Sequence, residues 1–81
     1  MLWYCIELGV YSRNAGKLAA ILRAYEVNFK TTLYENHKDV FCGNIGTASM
    51  TWFSIQVYSR RGYEQLIDVL DKSNMDIAIQ G

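Results

Sequence analysis

The tetrapeptide Val10, Tyr11, Ser12, Arg13 recurs as Val57, Tyr58, Ser59, Arg60, and at both places the hydrophobic period changes from two to about 3.6. Before the first copy, Leu2, Tyr4, Ile6, Leu8 and Val10 alternate with Trp3, Cys5, Glu7 and Gly9. After it, Leu18, Ile21, Leu22 and Tyr25 fall at i, i+3, i+4 and i+7. The second copy closes an alternating run over residues 50–58, with Thr51, Phe53, Ile55 and Val57 on one face and Trp52, Ser54, Gln56 and Tyr58 on the other. Tyr63, Leu66, Ile67 and Leu70 then repeat the helical spacing. Each copy therefore marks a strand-to-helix junction. After one extra residue the stripes correspond, Leu18 with Leu66 and Leu22 with Leu70, which predicts pseudo-two-fold internal symmetry.

The remaining segments complete the order. Phe29, Thr31 and Leu33 alternate with Lys30, Thr32 and Tyr34 in a second strand, and residues 35–38 read as a polar turn. Val40, Phe41 and Cys42 read as a short extra strand before a break at residues 43–46. Ser73 and Asn74 end the second helix, and Met75, Ile77 and Ile79 alternate in a closing strand. The order βαββαβ with internal symmetry predicts an α+β, ferredoxin-like sandwich, an antiparallel sheet with both helices on one face. The extra strand falls in the connection between the second and third strands. Residues 1–81 form a single domain, small enough that folding hides only about 60% of the chain's surface.

A composition of 51% hydrophobic, 14% aromatic and 20% charged residues without proline excludes a disordered tail or low-complexity linker. Eight Lys and Arg balance eight Asp and Glu, so no global field draws the chain to nucleic acid or an anionic membrane. The apolar start carries Glu7, lacks a basic region, and does not read as a secretory signal. No apolar run reaches the roughly 18–20 residues that span a bilayer. A cytoplasmic location is expected. Cys5 and Cys42 have no metal-type spacing and read as reduced, buried thiols.

With both helices on one face, the other face of the sheet presents Trp3, Cys5, Tyr34, Trp52 and Tyr58, with Phe41 beside them. This aromatic set is a candidate protein interface. RNA-recognition domains share the topology and stack bases on sheet aromatics, but the basic-Gly-aromatic pattern they use is missing from residues 48–57, which argues against nucleic acid. The first strand-to-helix loop, with Ser12, Arg13, Asn14, Gly16 and Lys17, is the candidate ligand-binding site. A helix start offers free N–H groups and a positive dipole end, suited to a carboxylate or phosphate. Ser12 or Asn14 also reads as the helix N-cap. Arg60, Arg61 and Gly62 repeat that geometry at the second junction. His37, between Glu35 and Asp39, reads as part of a solvated turn rather than a metal site. No catalytic constellation can be assembled, so neither enzyme activity nor a cofactor is expected.

At the loop and the element order, the sequence resembles the ACT domain, a regulatory module of this topology. Ser12, Arg13, Asn14, Ala15, Gly16, Lys17 and Leu18 are similar to that family's loop, typically Asp-Arg-Pro-Gly-Ala-Leu, with Arg13, Gly16 and Leu18 matching. Ser12 stands for the Asp, Asn14 for the Pro, and one residue is added. The resemblance extends through residues 49–57 and 63–67. It implies a self-associating module, here a homodimer, with an amino-acid or other small anionic effector contacting Ser12, Arg13, Asn14 and Gly16. The alternative is a stand-alone adaptor or inhibitor, of the phage or mobile-element kind, docking a protein partner through the aromatic face.

Overall fold

Strands Tyr4–Tyr11 (β1), Phe29–Lys38 (β2), Thr47–Val57 (β3) and Ala78–Gln80 (β4) form one sheet in the order β2-β3-β1-β4. Helices Ala15–Ala24 (α1) and Arg60–Asp71 (α2) complete it. These positions come from a computed structural model that describes residues 4–43 and 45–81. All three strand pairings are antiparallel. The architecture is the α+β, ferredoxin-like sandwich that the order of periodicities predicts.

The core sits between the helices and one face of the sheet. Ile6, Leu8 and Val10 of β1 and Phe53, Ile55 and Val57 of β3 meet Leu18, Ala19 and Leu22 of α1 and Leu66 and Leu70 of α2. The corresponding pairs Leu18 and Leu66, and Leu22 and Leu70, are all buried. Fully burying a side chain of this size contributes roughly 1.5–3 kcal/mol, so these two stripes hold the helices to the sheet. Phe29 packs its ring 5.3 Å from Phe53, extending the core under β2. Leu33, four residues further along the same face, is 58% exposed because no helix covers that end of β2.

Several expectations are corrected. Residues 35–38 are not a turn: β2 continues through them to Lys38, and the register shifts by one residue between Tyr34 and His37. Polar residues pair as well as apolar ones when the strand is an exposed edge, so composition misleads here. Val40, Phe41 and Cys42 are not a strand but part of a turn. Gly43 and Gly46, with φ of 65° and 78°, let the chain reverse there. Tyr25 leaves the helical stripe and is 49% exposed, because α1 ends at Ala24 and Glu26 turns left-handed at φ 57°. The closing strand spans only Ala78–Gln80, although Met75 and Ile77 still pack against the core. Cys5 and Cys42 are free and exposed rather than buried, the first on the open face of β1 and the second on the tip turn. Leu2 and Trp3 lie outside the described residues.

Candidate functional site

The first strand-to-helix loop is ordered by its own contacts. Residues Ser12–Asn14 form one turn of 3-10 helix, and neither Ser12 nor Asn14 caps α1 through its side chain. Ser49 Oγ donates to Ser12 Oγ at 2.8 Å, and the Ser12 hydroxyl lies 2.9 Å from that of buried Thr51. This hydroxyl chain ties the loop to β3 and takes Ser12 away from the helix N–H groups. The Arg13 guanidinium lies 4.2 Å from the centre of the Tyr11 ring, a cation–π contact. Gly16 and Lys17 are exposed within α1, and a Cβ at Gly16 would meet nothing within 4 Å. At the second junction the same four residues behave differently: Ser59 Oγ accepts from Gly62 N–H at 3.0 Å and caps α2.

The tip of the β2–β3 hairpin folds back toward the end of β1. Tyr11, on the open face, donates its hydroxyl to both oxygens of Asp39, at 2.7 and 2.9 Å. Its ring packs 5.0 Å from Phe41, and Phe41 N–H donates to Asp39 Oδ1. The tyrosine hydrogen bond holds the Asp39 carboxyl below its ordinary range despite some desolvation. The same bond, with desolvation adding to it, pushes the Tyr11 phenol well above its usual value.

Beside this latch the open face is concave. The one-residue bulge at Glu35 and Asn36 resets the alternation of β2, so Tyr34 and His37 meet with ring centres 5.4 Å apart. His37 is therefore no solvated turn residue: it is half-buried, lies 5.9 Å from the Trp52 ring, and its Nδ1 is 2.8 Å from the Lys38 carbonyl oxygen. Trp52 sits opposite Gly9, where a side chain would collide with the indole. Tyr34, His37 and Trp52 line a cleft of about 260 Å³ with Glu7, Ser54 and Gln80. A second concavity of about 310 Å³ includes Cys5, Glu7, Ser54 and Gln80, and a third of about 290 Å³ includes Lys30, Ser54 and Gln56. All three meet at Ser54.

Of the aromatic interface set, then, Cys5, Tyr34 and Trp52 lie on the open face, and Tyr58 follows β3 and is 54% exposed, its hydroxyl donating to Gln56. Trp3 lies outside the described residues. Sequence reading alone missed the convergence on Ser54 and the place of His37. Both depend on strand register, which periodicity does not supply. Among the described residues no three His, Cys, Asp or Glu side chains cluster as a metal site requires. Among them, too, no helix is long and apolar enough to cross a membrane.

An α+β, ferredoxin-like sandwich with a concave open sheet face is the class that this geometry defines. No family model matches the chain, and no curated protein matches it. Solved structures do match. The chain is similar to a nitrogen regulatory PII-like protein from Thiomonas intermedia, bound to ADP, AMP and bicarbonate, with a TM-score of 0.73 at 9% identity, covering 99% of this chain and 92% of that one. It is also similar to a PII-like signalling protein from Thermus thermophilus, with a TM-score of 0.68 at 8% identity, covering 99% and 86%. At these identities the likeness establishes the ferredoxin-like fold.

Proposed function

We propose that this chain is a small non-enzymatic regulatory module that binds a small effector and associates with copies of itself. The observation that supports this reading is the convergence of three concavities on Ser54, between ring-bearing side chains and polar groups. Ligand sites combine apolar and aromatic walls with a few polar groups that fix orientation. The PII-like neighbour carrying ADP, AMP and bicarbonate supports the same class of role. The ACT resemblance supports it from sequence, with Ser12, Arg13, Asn14, Gly16 and Lys17 as the alternative effector contacts.

A thermal-shift screen against amino acids, nucleotides and simple anions tests the effector, and sedimentation at several concentrations tests association. Ligand at about 100 times its dissociation constant adds roughly 2.7 kcal/mol. In a domain of this size each kcal/mol moves the midpoint by about 4–8 °C. Arg13→Ala and Gly16→Val separate the loop from the sheet face: loss of the shift assigns the effector to the loop. A flat screen together with a concentration-independent monomer removes the reading.

The exposure of Tyr34 and Tyr58 favours a second reading, an adaptor that docks a protein through this face. In that case Trp52→Ser, alone or with Trp3→Ser, abolishes the partner complex and leaves the fold intact.

A further inference from the structure

Three rings on the open face make one continuous wall. Trp52, His37 and Tyr34 have ring centres 5.9 and 5.4 Å apart in that order, with successive planes inclined by 56° and 60°. Gly9 leaves the space that the indole fills, and His37 Nδ1 hydrogen-bonds the Lys38 carbonyl oxygen at 2.8 Å. All three rings line the cleft of about 260 Å³, and so does Glu7. Register separates the charges around it. Lys30 of β2 pairs with Ser54 of β3, Ser54 with Glu7 of β1, and Glu7 with Gln80 of β4, a row whose members project to the same side of the sheet. Lys30 lies beyond Ser54 from Glu7 and lines a separate concavity. Among the described residues no Lys or Arg lines the cleft, and Glu7 has no ion-pair or side-chain hydrogen-bond partner.

An aromatic ring is electron-rich on its faces, so it attracts a cation there, an indole most strongly. The Glu7 carboxylate acts in the same direction, and both features oppose an anion. A primary ammonium has three N–H donors to satisfy and holds its hydration tightly, which an open aromatic wall does not replace. A quaternary ammonium has no N–H, and it can bury methyl groups against the rings while keeping its charge beside them. Resting on the effector-binding reading above, we infer that this cleft binds a small, free quaternary ammonium ion of the trimethylammonium class. Its methyl groups lie against Trp52, His37 and Tyr34, and Glu7 balances its charge. Thr32 and Ser54, which also line the cleft, offer hydroxyls to a polar tail.

Calorimetric titration with choline, ethanolamine and the uncharged choline isostere 3,3-dimethylbutanol tests the assignment. Choline binds saturably, and each analogue, lacking either the methyl groups or the charge, binds about tenfold more weakly, the worth of cation–π contact with two rings. Tyr34→Leu lowers choline affinity about threefold, whereas Tyr34→Phe, which keeps a ring face, retains it. Glu7→Gln weakens choline and leaves the uncharged isostere unchanged. Both positions are exposed, and circular dichroism and thermal midpoint check that each variant keeps the fold. Equal affinity for choline and its uncharged isostere overturns the inference, as does choline binding that Tyr34→Leu and Glu7→Gln both leave unchanged. No binding of choline at tens of millimolar overturns it as well. Phosphatidylcholine vesicles present the same head group, and co-sedimentation with them in the absence of choline binding gives the cleft to a membrane surface and overturns the free ligand. If another compound in the thermal-shift screen still gives a saturable response, the broader reading survives these failures.

Discussion

The indole of Trp52 occupies the space over Gly9 that a side chain would take: a Cβ at Gly9 would lie 2.7 Å from two of its ring carbons. The two residues are directly opposite in β1 and β3, so the ring closes the open face over the backbone of the neighbouring strand. Gly9→Ala forces the ring off the strand or the strands apart, and costs about 1–3 kcal/mol. The same substitution on a Trp52→Ser background costs far less. Urea unfolding of the four proteins in this double-mutant cycle measures the coupling, and an additive result removes the steric account.

Gly16 has the opposite outcome. It lies inside α1 with open space around its Cα, and nothing in the fold requires a glycine there. Gly16→Ala stabilises the protein by roughly 0.5–1 kcal/mol through the backbone entropy of the unfolded chain. A thermal midpoint that falls instead would mean that the first loop needs this glycine for a contact made outside the chain.

The Tyr11–Asp39 latch makes the hairpin tip pH-dependent. Because hydrogen bonding lowers the folded-state value of Asp39, its contribution is complete above the ordinary carboxylate value of about 3.9 and disappears as pH falls through the depressed one. Tyr11 is displaced upward, so its contribution is complete below about 10, where free tyrosine ionises, and fades at higher pH. Tyr11→Phe lowers the thermal midpoint at pH 7 and flattens its acid limb relative to the parent. Ultraviolet titration of the parent shows a tyrosine that ionises late, and in Tyr11→Phe that late class is missing.

The two serines of the repeated tetrapeptide separate in mutagenesis. Ser59→Ala removes the cap on α2 and costs about 1 kcal/mol. Ser12→Ala leaves the buried Thr51 hydroxyl without its neighbour and costs about 0.5–1.5 kcal/mol. Far-ultraviolet circular dichroism distinguishes them, because only Ser59→Ala frays a helix end.

Both thiols are reachable without unfolding. Cys5 and Cys42 are both modified by a thiol reagent in the native protein without denaturant. Slow modification of Cys5 alone at high protein concentration would indicate that a second molecule covers the open face.

The pattern of residues at period two and period 3.6 is sufficient for the order of the four strands and two helices, the buried leucines of both helices and the inward faces of β1 and β3. Those features are local: each depends on neighbours one to four positions away, and the apolar set has only one way to leave water. The repeated tetrapeptide located both junctions but not what its residues do. Tyr11 is held by Asp39, 28 residues away, whereas Tyr58 donates to nearby Gln56; Ser59 caps a helix and Ser12 joins a hydroxyl chain. The hairpin is not legible in the sequence because a polar edge strand looks like a turn when its partner is unknown. A single bulge after Tyr34 then reverses which residues share a face and brings His37 to Trp52. The row through Lys30, Ser54, Glu7 and Gln80 draws on four strands, and only their register aligns it. What the sequence determined alone was which side of each element avoids water; the tertiary structure decided which exposed side chains stand together, because that depends on pairing between strands far apart in the chain.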